Sequence, residues 1–237
     1  LRAEVAKATA RALPATIKLW SRLSKHLIQG AAMSARSAAR IEEEKRDDSS
    51  PRFDPEHRAY VMSAVVMAVS FLEATINELF AQAADGRLKG LNADATRRLS
   101  GCWGLEGFQT LSLLEKFNAA VLLTGNVPFT KGALPYQDVQ LLVRLRNALV
   151  HYRPEWMTAA SEADATVERR RLEKSLKGKF PINPLIAKGN PFWPDKCLGY
   201  GCAKWAVESA VKFADEFFSR MGLPSPHDDV RLHLNTQ

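Results

Sequence analysis

Residues 57 to 85 read HRAYVMSAVVMAVSFLEATINELFAQAAD, the longest apolar pattern in the chain. Val61, Val65, Ala68, Leu72, Ile76, Leu79 and Ala83 recur three or four positions apart and form one stripe, while Met62, Val66, Val69 and Phe80 form a second. That spacing is the period of an α-helix. A helix apolar on two sides is expected to be packed on both, and so to be central. Glu73 and Asn77 fall on the second stripe, four positions apart, so they share a face and need polar partners in packed surroundings. The most apolar part, Tyr60 to Leu72, contains Ser63 and Ser70 and stops at Glu73. It falls short of the roughly 20 residues a bilayer-spanning helix needs, so no membrane span is expected.

Outward from this helix the same period dominates, and stretches alternating apolar with polar, β-branched residues are missing. The fold class expected is therefore all-α. Toward the N-terminus, residues 3 to 29 predict a helix kinked or divided at Pro14, and residues 31 to 46 continue it. The first 41 residues are rich in Ala, Arg and Ser and poor in acids but lack a secretory apolar core, and ordinary helix is expected there. Ser49, Ser50, Pro51 and Pro55 make a break. On the C-terminal side, Gly101 and Gly104 bound a loop, and Phe108, Leu111, Leu114, Phe117 and Val121 mark a helix ending near Gly125. Residues 126 to 135 form a turn-rich connection, and a helix follows from Tyr136 to Tyr152, stopped by Pro154. A polar helix over 159 to 176, a proline-rich loop from Pro181 to Pro194 and a last amphipathic helix over 200 to 221 complete the pattern. That last helix is expected to bury Trp205, Val211, Phe213 and either Phe217 or Phe218, with a loose tail beyond Pro224. The division expected is an N-terminal helical extension (1–48), a helical domain (56–223) and a C-terminal tail (224–237).

The chain has 237 residues, enough to bury about 70% of its unfolded surface as one unit. Hydrophobic residues make up 46% and charged residues 25%, which excludes a disordered chain. Lys and Arg exceed Asp and Glu by 33 to 26, a net charge of +7 that favours polyanionic partners. Arg169, Arg170, Arg171, Lys174, Lys177 and Lys179 concentrate that charge; such a run either steers RNA or is a solvated helix face. Cys102, Cys197 and Cys202 are an odd number without a paired framework, which fits a reducing, cytoplasmic setting. No metal site is expected from Cys197 and Cys202, which lack a matching Cys or His pair.

The stretch richest in chemistry is Leu145-Arg146-Asn147-Ala148-Leu149-Val150-His151-Tyr152, where Arg, Asn and His interrupt an apolar helix end. Together with Ser70-Phe71-Leu72-Glu73-Ala74-Thr75-Ile76-Asn77-Glu78 and the closing Trp205-Ala206-Val207-Glu208 segment, it resembles the HEPN family over roughly residues 57 to 221. The family's hallmark is an Arg, four to six residues and a His, often with a polar residue directly after the Arg; Arg146, Asn147 and His151 match it. The spacing alone is unspecific, because Arg52 and His57 repeat it in a linker.

The resemblance implies a HEPN-like bundle and metal-independent endoribonuclease chemistry without a cofactor. In that chemistry a ribose 2′-hydroxyl attacks the neighbouring phosphate and leaves a cyclic phosphate. His151 would move the proton, Arg146 would donate to phosphate oxygens, and Asn147 would orient one or the other. Glu73 would hold Arg146 or His151, with Asn77 and Tyr152 in support, and Arg144 and Arg153 would touch substrate. A homodimer pooling two motifs, RNA as substrate, an antitoxin or activator protein as partner, and a toxin or phage-defence role are also implied. Arg153 stands where some toxin members carry a modifiable tyrosine. Geometry adds one tension: Asn147 and His151 share a helix face, whereas Arg146 lies about 140° around from His151. Three readings thus stand: a ribonuclease; a non-catalytic module of the same family binding nucleotide, RNA or protein, in which Arg146 and His151 merely cap the helix end; and an unrelated helical interaction protein.

Overall fold

Asp54 opens the central helix: its carboxylate accepts from the His57 amide at 2.8 Å, Pro55 takes the first helical position, and Glu56 adds negative charge to the first turn. The computed structural model describes residues 20–47, 53–154 and 166–237, and among them there is no strand. The chain is all-helical. The helices are α1 (Ser24–Glu44), α2 (Pro55–Ala84), α3 (Ala93–Trp103), α4 (Glu106–Gln109), α5 (Leu113–Leu123), α6 (Tyr136–Val150), α7 (Val167–Leu176) and α8 (Tyr200–Met221). A short π-type turn (Phe192–Lys196) precedes α8, and a 3-10 segment (Asp228–Leu234) follows it.

α2 sits at the centre, flanked by α1, α8, α3, α6 and α5. Its first stripe is buried throughout, from Val61 to Ala83. Of the second, Val69 and Phe80 are buried but Met62 is exposed and Val66 half-buried; Ala64 and Phe71 carry the burial instead. Among the described residues α2 is also the helix long and apolar enough to cross a membrane, with a mean hydropathy of 1.8 in its best window, half of it buried. The expectation from Tyr60–Leu72 alone therefore underestimates its apolar length.

The described part of the N-terminal extension packs on the main core. α1 runs unbroken through Gly30 and Ala31, and Ile28, Ala31, Ala32, Ala35, Ala38 and Ile41 join the main core. This run of small residues lets two backbones approach closely, and a Cβ on Gly30 would stand 2.9 Å from the Met67 sulfur of α2. Glu78 of α2 receives the start of α1, accepting from the Leu23 and Ser24 amides at 2.9 Å each and from Ser24 Oγ at 2.8 Å. Of the helix expected over residues 3 to 29, the part up to residue 19, with Pro14, lies outside the described residues; residues 20–23 are not helical, and α1 begins at Ser24.

Three further expectations need correction. Gly101 lies inside α3 rather than bounding a loop. The helix expected through Phe108 and Leu111 is two, because Ser112 and Glu115 form a capping box that starts α5 afresh. The tail is docked, not loose: His227 and Thr236 are buried, and Arg231 holds Asp215 of α8 through two hydrogen bonds of 2.9 and 2.8 Å. His227 lies edge-on to Phe71, 5.3 Å between ring centres, and its Nε2 is 3.0 Å from Asp215.

α6 and α8 match their expected spans closely. Val211 is half-buried, while Trp205, Phe213, Phe217 and Phe218 are all buried. Phe117 of α5 meets Phe213 and Phe217 edge-on at 4.9 and 4.7 Å, and Phe129 stacks on Phe213 at 4.6 Å. This aromatic knot fixes α5 and the connection before α6 against α8.

Candidate functional site

α6 ends where its motif ends. The His151 amide still donates to the Asn147 carbonyl at 2.9 Å, but His151 itself has left helical geometry, with φ −104° and ψ 37°. Pro154 disfavours helix in the residue before it, so the chain turns away after one more residue. His151 and Tyr152 are thereby presented at an exposed helix end.

Beside this end lies a cleft of about 460 Å³. Asn147 and His151, four apart on one face, line it together with Arg144, Tyr152 and Arg153. Across from them α7 contributes Glu168, Arg169 and Leu172, and the turn before α8 contributes Trp193. Leu172 and Trp193 are buried and give the cleft an apolar floor. Arg144, Arg153 and Arg169 stand against the single carboxylate of Glu168, so the lining favours an anion. Arg169 also donates to Glu173 within α7 at 3.1 Å.

Arg146, Glu73 and Asn77 do not line this cleft. Arg146 turns instead toward α2, where its Nη2 donates to Glu73 Oε1. The pair is partly exposed, 21% for the Arg146 side chain and 44% for Glu73, and Arg146 Nε is buried without a hydrogen-bond partner among the described residues. Asn77 accepts from Lys116 of α5 at 3.4 Å. The 140° separation along α6 is thus resolved in favour of two sites: a cleft around His151 and an ion pair around Arg146. Glu73 holds Arg146, as one of the two expectations for it had it, and not His151.

The basic run divides as well. Arg169 faces the cleft, Lys179 donates to Asp138 of α6 at 2.7 Å, Lys177 lies over the Phe192 ring, and Arg170, Arg171 and Lys174 are exposed. Residues 159–165 of the expected polar helix lie outside the described residues.

Sequence reasoning missed Trp193, Leu172 and Glu168. The signal for Trp193 was a large aromatic between Pro191 and Pro194 in the proline-rich loop, which must find cover. Its loop is anchored at a distance: Asp195 accepts from Arg58 of α2 and from Asn190, each at 2.9 Å, and the Asn183 amide side chain donates to the Leu198 carbonyl at 2.9 Å. Comparison of the chain with protein-family models, with curated protein sequences and with solved structures finds no match.

Proposed function

We propose that this chain is a HEPN-like endoribonuclease that cleaves RNA at the cleft beside the end of α6. The observation that carries the reading is the convergence of a solvent-accessible imidazole, His151, with Asn147 and three arginines over an apolar floor. His151 takes the proton from a ribose 2′-hydroxyl, whose oxygen attacks the adjacent phosphorus. The P–O5′ bond breaks, the leaving oxygen is protonated, and a cyclic phosphate remains. Arginine forks hold the phosphate oxygens as charge develops on them. Tyr152 and Trp193 offer aromatic faces for bases. Arg146 takes part when it exchanges the Glu73 carboxylate for a phosphate, and two copies meeting at α6 would pool two such sets. A growth-arresting or phage-defence role in the cytoplasm, under an antitoxin or activator, fits a ribonuclease of this kind.

One observation favours a second reading, a module that binds RNA or nucleotide without cutting it: Arg146 is engaged by Glu73 and stands outside the cleft. Mixed RNA incubated with wild type, Arg146→Ala and His151→Ala, in EDTA and with folding verified, separates the two. Cleavage that survives EDTA and is lost in both variants is the expected result. Cleavage that persists in His151→Ala refutes the assignment, and binding without cleavage in wild type favours the second reading.

A further inference from the structure

The cleft beside α6 holds one group that binding phosphate does not call for. Glu168 sets a carboxylate among Arg144, Arg153 and Arg169, and a negative charge there repels every phosphate that enters. Its position in the helix accounts for little of this. An exposed acid in a first turn eases the helix dipole only slightly, and Thr166 already caps α7 by accepting from the Arg169 amide at 3.2 Å. Nor is the carboxylate spent on a neighbour. Among the described residues, the side chains of Glu168, Arg144 and Arg153 form no hydrogen bond or ion pair, although all three line one cleft.

A carboxylate accepts hydrogen bonds through two oxygens side by side. Of the four RNA bases, guanine alone offers two donors at that spacing, N1–H and N2–H on its Watson–Crick edge. Adenine and cytosine each offer an amino group beside an acceptor nitrogen, and uracil offers one N–H between two carbonyls, so each of them sets an acceptor against the carboxylate. Guanine's other edge carries O6 and N7, the pair that an arginine fork meets. Tyr152, 48% exposed at the mouth of the same cleft, gives an unstacked base a ring to lie on.

We infer that Glu168 is a specificity-determining residue that reads a guanine base in this cleft. One of Arg144 and Arg153 serves the O6 and N7 edge, and the other holds the phosphate. The inference rests on the cleft being the place where RNA lies, and not on its being cut there.

Calorimetric titration of the full chain with the four nucleoside 3′-monophosphates tests it, alongside mapping of cut sites in mixed RNA. Wild type binds 3′-GMP roughly tenfold more tightly than 3′-UMP, the discrimination expected of one bidentate pair, with 3′-AMP and 3′-CMP between them. Glu168→Gln, with folding verified by thermal melting, weakens 3′-GMP binding about tenfold. The same variant strengthens 3′-UMP binding, because the repulsion of phosphate goes with the charge. A merely structural role would move all four ligands together. A loss shared by all four, an absence of preference in wild type, or no binding at millimolar concentration overturns the inference. Guanine preference without any cutting refutes the ribonuclease and keeps Glu168 as the reader of the base. Cutting that needs His151 but falls beside all four bases alike keeps the ribonuclease and refutes the inference.

Discussion

Replacing Glu73 by Gln asks what the Arg146 pair does. The substitution keeps the size of the side chain and removes its charge, leaving Arg146, 21% exposed, facing a neutral amide. A fully buried pair broken on one side would cost roughly 3–5 kcal/mol, and a fully exposed one roughly 0–1. With Glu73 44% exposed, solvent screens much of the attraction, and the lower range governs: a loss of about 1 kcal/mol. For a chain of this size that is a fall in Tm of roughly 2–4 °C. The RNA side moves the other way. If Arg146 must leave Glu73 to meet a phosphate, the same 1 kcal/mol no longer opposes binding, and affinity rises about fivefold. Thermal melting gives the first number and fluorescence anisotropy with a labelled single-stranded RNA at fixed salt gives the second, since affinities shift with ionic strength. A double-mutant cycle with Arg146→Gln checks that the two residues are coupled by roughly 0.5–1 kcal/mol. Reduced stability with unchanged RNA affinity would show that Arg146 never exchanges partners and serves only to tie α6 to α2. Zero coupling would refute the energetic argument itself.

Two other predictions concern the frame. Burial pushes His227 below its ordinary value of 6.5, although Asp215 pulls the other way, and Arg231 and Asp228 also face it. Because the unfolded histidine binds its proton first, stability is present above about pH 6.5 and declines as pH falls toward the folded value; His227→Gln flattens the drop in Tm between about pH 7 and 5, and an unaltered slope would contradict this. Burial opposes ionisation of Asp215, but Arg231 and His227 together hold its carboxyl below the ordinary 3.8, so a second loss follows only in stronger acid. Phe117→Ala empties the centre of the aromatic knot and costs roughly 3–5 kcal/mol in urea unfolding; a loss under about 1 kcal/mol would mean that Phe213 and Phe217 do not need it.

Periodicity made the core legible because burial and helix geometry leave the same trace in sequence. The first stripe of α2 and the span of α8 could be read from it directly. Small residues spoke less clearly: the alanines of α1 read as part of an extension, since nothing in an Ala-rich pattern reveals that it packs closely on α2, with Gly30 against Met67. The tail misled for the opposite reason, as His227 and Thr236 are polar types whose burial depends on partners far away in sequence. In the site, helix geometry separated Arg146 from Asn147 and His151, and only the folded structure shows that the separation amounts to two places. Trp193 and Leu172 come from elements brought over by long-range pairing, Arg58 with Asp195 among them, which local spacing does not encode.

That pairing also makes α2 the datum for both sides of the cleft. Glu73 fixes the α6 side through Arg146, and Arg58 fixes the Trp193 side through Asp195. The two anchor points are fifteen residues apart on one uninterrupted helix, a rod of roughly 22 Å. A rod of that kind does not stretch, so the gap between the imidazole and the indole is gauged by a member that contributes no residue to the cleft's lining. An occupant too wide for the gap presses on α7, the third side of the cleft, and so strains the Lys179–Asp138 pair that ties the end of that helix back to α6.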